Sequence, residues 1–132
     1  MSTLPPRWAA VLSALAGAVG WFGVSALGHR REAWDSALYW SWFFPSLAVV
    51  VLGLGYFSPT KAWRWGFIPF LAQAVVAFVQ DPGGSLLPLG LIMFGIMGTI
   101  ASVPAMLGAR LRGWVEPRLA PPTPPGGTTP AA

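Results

Sequence analysis

The stretch WAAVLSALAGAVGWFGVSALGH, residues 8–29, carries no charged side chain. About 20 apolar residues, rising 1.5 Å each, cross a hydrocarbon slab of ~30 Å as a helix, so this run is long enough to span a bilayer. Outward from it the pattern repeats. The charges of the chain fall at Arg7, from Arg30 to Asp35, from Lys61 to Arg64, at Asp81, and from Arg110 to Arg118, which leaves further charge-free windows at 36–60, 65–80 and 82–109. The sequence therefore predicts an all-α, transmembrane four-helix bundle with spans over residues 8–27, 37–57, 62–80 and 86–109. One membrane domain covers residues 1–119. A disordered Pro/Thr/Gly/Ala tail is expected over 120–132.

Composition supports a lipid solvent. The chain has 132 residues, of which 55% are hydrophobic and 9% charged, against ~25% charged in a soluble protein. The net charge of +4 comes from basic residues that are few and scattered at span boundaries. They read as membrane anchors and not as a phosphate-binding stripe, so no nucleic-acid partner is expected. The absence of cysteine excludes disulfides and thiolate metal sites. Arginine outnumbers lysine seven to one and Ala, Gly and Pro are abundant, the usage of a GC-rich bacterial genome. Arg7 before an apolar run and Val24-Ser25-Ala26 resemble a signal peptide with its cleavage site. The uncharged run exceeds the 7–15 residues of a signal core, and retention as a true span is expected.

Small residues mark the expected helix contacts. In span 1, Ala9, Ser13 and Gly17 are four apart, as are Ala10, Ala14 and Ala18, and also Ala16 and Gly20; in span 4, Gly95 with Thr99 and Gly98 with Ser102 repeat the spacing. Such ridges let a neighbouring backbone approach closely, although Ala and Gly are also simply common in spans. Pro45 should kink span 2, because its ring displaces the Ser41 carbonyl and it has no N–H to donate. Pro69 falls early in span 3, where a lost donor matters less. Trp34, Trp40, Trp63, Arg64 and Trp65 are expected as interfacial anchors, rings and cationic heads at headgroup level. Six basic residues (Arg7, Lys61, Arg64, Arg110, Arg112, Arg118) lie on the side of the termini and two (Arg30, Arg31) on the other, which places both termini in the cytoplasm.

Little in the sequence points to chemistry. His29, Glu32 and Asp35 could share a helical face, but Arg30 and Arg31 beside them oppose a divalent cation, so no metal site is expected. No span contains an ionisable group of the kind that drives proton-coupled transport. No nucleophile–base pair, phosphate loop or haem-ligating pair is visible; catalytic residues and cofactors are expected to be none. Gln73, an amide in mid-span, either bonds across helices or contacts a solute.

The runs Arg31–Trp40 (REAWDSALYW), Ala62–Gly66 (AWRWG) and Leu86–Ile92 (LLPLGLI) resemble a group of small proteobacterial inner-membrane proteins, over roughly residues 28–112. The resemblance implies a four-span protein of the bacterial cytoplasmic membrane and carries no assigned functional residue. The expected role is an accessory or structural subunit that packs against itself, as a homo-oligomer, or against a larger membrane complex. The alternative is a small oligomeric transporter or channel for an apolar or weakly polar solute, with Gln73 as its polar contact.

Overall fold

The computed structural model describes residues 3–29, 33–80, 82 and 87–119. The expected turn at 81–85, apart from Pro82, and the tail at 120–132 lie outside them. Four α-helices account for most of the described chain: α1 Pro6–Gly28, α2 Phe44–Phe57, α3 Arg64–Gln80 and α4 Leu87–Leu119. Among the described residues there is no strand. Three helical stretches are long and apolar enough to cross a membrane: Pro6–Gly28, Tyr39–Phe57 and Pro88–Arg118. Helix α3, at 17 residues, is roughly 26 Å long, the shortest fit to such a slab.

The helices do not pack in chain order. Helix α1 lies along α3, α3 along α4, and α4 along α2, while α1 and α2 barely touch. Ser13 meets Trp65 and Gly17 meets Pro69, so residue numbers rise together and α1 runs parallel to α3. By the same test Gly66 against Ala101 and Phe67 against Gly98 make α3 and α4 antiparallel. The residue two before α1 ties the chain to the end of α2: the Leu4 N–H donates to the Phe57 carbonyl at 2.9 Å.

Proline shapes α2 differently from the simple kink expected at Pro45. A π turn, Tyr39–Phe43, leads directly into α2, and the Phe44 N–H donates to the Tyr39 carbonyl. Widening the helix by one residue just ahead of Pro45 makes room for its ring, a common device where an i−4 bond cannot form. Upstream, the Ser36 hydroxyl accepts the Leu38 N–H at 3.3 Å, the bond of a helix-starting cap. Helix α4 continues past the expected span end at 109 as a single 33-residue helix, roughly 50 Å long.

Candidate functional site: a polar seam between close-packed helices

The α1 ridge Ala9, Ser13, Gly17, Trp21 and Val24 is buried, and it lies against the weak point of α3. Pro69 has no N–H, so the carbonyl four residues earlier, that of Trp65, loses its helical partner. The Ser13 hydroxyl donates to that carbonyl at 2.9 Å. One turn further, Gly17 lies directly on Pro69: a Cβ there would overlap the Pro69 carbonyl oxygen and stand 2.6 Å from its Cα. A hydroxyl and a bare backbone, spaced four apart on α1, thus accommodate one proline on α3. Ser13→Ala is expected to lower stability by about 1 kcal/mol, the usual net value of such a bond. A denaturant titration of wild type and variant in the same micelle measures it, and coincident midpoints would show that the Trp65 carbonyl needs no partner.

Beyond Pro69, Gln73 is wholly buried. The Tyr39 hydroxyl, itself 1% exposed, donates to Gln73 Oε1 at 2.9 Å, joining the π turn to α3. Gln73 Nε2 is buried with no hydrogen-bond partner among the described protein atoms. The Tyr39 ring packs on Phe43 at 5.3 Å, and Phe43 fills the space left by the missing side chain of Gly20. At the same end, Trp21, Trp34 and Phe94 form a ring cluster with centroids 5.1–5.7 Å apart. The Trp21 indole also donates to Gln80 Oε1 at 3.1 Å.

At the other end of the bundle the polar contacts are of the same kind. The Ser102 hydroxyl lies 2.9 Å from the Trp63 carbonyl and 2.8 Å from that of Gly98; its one proton serves both. Arg112, 6% exposed, donates to the carbonyls of Tyr56 and Phe57 at 3.3 and 3.4 Å, ending α2. It is held by Glu116 through contacts of 2.8 and 3.2 Å.

The sequence-predicted residues thus divide. Ser13 and Gly17 lie in the α1–α3 contact, Gly20 under Phe43, and Gly98 under the Phe67 ring. Gly95 and Thr99 do not pack within the bundle: Gly95 has open space where a side chain would be, and the exposed Thr99 hydroxyl donates to the Gly95 carbonyl. The buried line of α4 runs through Phe94, Gly98, Ala101, Ala105 and Gly108, and Gly95 and Thr99 lie one residue, ~100°, around the helix from it. Of the expected anchors, Trp65 belongs to the core and Trp34 packs against it. Trp65 is 3% exposed and donates to the Ser58 carbonyl at 2.7 Å, because it shares the inner face of α3 with Pro69 and Gln73. Trp34 is half-buried in the ring cluster. Trp40, Trp63 and Arg64 are exposed, and the Arg64 guanidinium stands over the Trp63 ring at 5.8 Å.

Several contacts were not read from the sequence. Gly55 lies on the Ala105 backbone, Gly66 on that of Ala101 and Ser102, and Gly108 on that of Leu52. Each is a single glycine facing a distant segment, without the repeat that flags a ridge; only the Ala101-xxx-Ala105 spacing on α4 hinted at them. Of the trio His29, Glu32 and Asp35, Glu32 lies outside the described residues. A shallow groove of about 120 Å³ between α2 and α4 is lined by Phe44, Leu47, Ala48, Ile100, Ala101 and Pro104, all apolar.

No protein-family model matches this chain, and neither curated proteins nor solved structures give a match.

Proposed function

We propose that this protein is a four-span integral protein of the bacterial cytoplasmic membrane, with both termini inside, and that it serves as a non-catalytic accessory or structural subunit. The observation that carries this reading is the use made of the buried polar groups. Ser13, Gln73, Ser102 and Arg112 all join one helix to another, and the bonds that cross between helices go to backbone carbonyls or to Tyr39. Substrate handling needs polar groups turned toward a cavity; here the groove is apolar and Gln73 faces Tyr39. That arrangement counts against Gln73 as a solute contact and favours packing as the protein's task. The outer surface is rich in exposed Leu, Val, Ile and Phe, suited to lipid and to neighbouring helices alike.

Self-association or docking on a larger partner would use helix faces the monomer leaves open. Gly95 and Thr99 on α4 offer one where another backbone can come close. Gly95→Leu is expected to weaken association about tenfold, ~1.4 kcal/mol, with melting unchanged because, among the described residues, no neighbour stands within 4 Å of where its Cβ would be. Complex size in mild detergent and mass spectrometry of co-purified proteins give the readout. A strictly monomeric wild-type protein that brings down no partner would defeat this role.

A further inference from the structure

We infer that the end of the bundle carrying Arg7, Lys61, Arg64, Arg110 and Arg118 is a docking surface for anionic phospholipid headgroups, with Arg64 as its innermost phosphate contact. The inference rests on the membrane reading above and adds which lipid the surface selects.

All five of these cations are exposed. They share one end because Leu4 bonds to Phe57, Arg112 to Tyr56 and Phe57, and Ser102 to Trp63. The one carboxylate there, Glu116, is engaged by Arg112. That pairing removes the competing anion and uses the one basic side chain turned inward. The five exposed cations therefore face outward without a carboxylate partner among the described residues. In the stretches that join α1 to the π turn and α3 to α4, the sequence sets two arginines, Arg30 and Arg31, beside three carboxylates, Glu32, Asp35 and Asp81, so those stretches carry no excess of positive charge.

The cations lie at graded depths. Trp65 is level with Ser13 and Trp63 with Ser102. Arg7 comes six residues before Ser13, and Arg110 and Arg118 come eight and sixteen after Ser102. Along their helices Arg7 thus lies roughly 8 Å, Arg110 roughly 14 Å and Arg118 roughly 25 Å further out than Arg64. Short α3 sets Arg64 deep, where its stem lies beside hydrocarbon and its head reaches for phosphate. The Trp63 ring beneath the guanidinium holds it. Trp8 and Trp63, both exposed on this end, supply the amphipathic rings that seat at headgroup depth. The charge and the depth of the rings fit a lipid phosphate.

The test places the full chain in nanodiscs of equimolar phosphatidylglycerol and phosphatidylcholine and counts retained lipids by native mass spectrometry after release. Phosphatidylglycerol should be enriched in the wild type, and the enrichment should fall between 0.1 and 1 M salt, as the screening length drops from about 10 to about 3 Å. Lys61→Gln and Arg64→Gln should each reduce it by up to about fivefold, the effect of one cation near a charged surface. Arg64→Lys should retain most of it, and Asp35→Asn at the far end should leave it intact. Equal retention of both lipids by the wild type at low salt, or enrichment unmoved in both Gln variants, overturns the inference while leaving the membrane reading in place. A chain that stays folded and monomeric in buffer without amphiphile removes both.

Discussion

Gly17→Leu is expected to separate α1 from α3 and to lower stability by about 3 kcal/mol, the upper part of the range for overpacking. The added atoms would occupy the position of the Pro69 carbonyl and Cα, and backbone cannot swing aside as a side-chain tip can. The same displacement pulls the Ser13 hydroxyl away from the Trp65 carbonyl, leaving that group unsatisfied in an apolar setting. Gly23→Leu is the matched control: it lies on the same helix with no atom within 4 Å of the new Cβ, and should melt like the wild type. Denaturant titrations followed by circular dichroism and tryptophan emission measure both. Equal losses at the two positions would mean that the contact with Pro69 does not govern the effect, since the change from glycine to leucine by itself raises helix propensity.

Tyr39→Phe should destabilise more than Gln73→Leu, although the two changes break one hydrogen bond. Without the hydroxyl, a fully buried amide is left with neither end paired, a cost of about 1–3 kcal/mol. Without Gln73, the tyrosine loses one partner, but the unpaired Nε2 disappears too, and the expected loss is near 1 kcal/mol or below, as for cross-helix bonds in bilayers. The double variant should regain much of what Tyr39→Phe loses. A double-mutant cycle on unfolding free energies reads the coupling directly. Additive losses, or Gln73→Leu as the worse single change, would show that the pair does not act as a unit.

These two sites mark where sequence reasoning reached and where it stopped. The α1 ridge was legible because three small residues recur every four positions on one uninterrupted helix. Gln73 stands out as a mid-span amide, yet nothing in the sequence marks Tyr39 as its partner. The reason is phase. At ~100° per residue, an unbroken helix would turn Tyr39 roughly 80° away from the buried Leu47. The π turn inserts the equivalent of one residue and brings Tyr39 to within roughly 20° of that face. The turn is a response to Pro45, and hydrophobic periodicity does not register such a shift. Trp65 was misread for a related reason. A tryptophan beside arginine looks interfacial, but α3 begins at Arg64, and the next residue already belongs to its inner face. The isolated glycines Gly55, Gly66 and Gly108 each answer to one distant backbone, which a single sequence does not display.

Chain order and spatial order disagree, and this sets the sequence of assembly. As the polypeptide emerges, α1 meets the second span only lightly, where Phe43 covers Gly20 and Leu4 bonds to Phe57. The Ser13–Gly17 face of α1 must therefore wait until Pro69 arrives more than fifty residues later; α2 in turn waits for the last helix to reach it. Each early helix is complete long before its true neighbour exists. During that interval any other small-residue helix nearby competes for the same bare strip, so newborn chains are most open to foreign partners before the final segment is made.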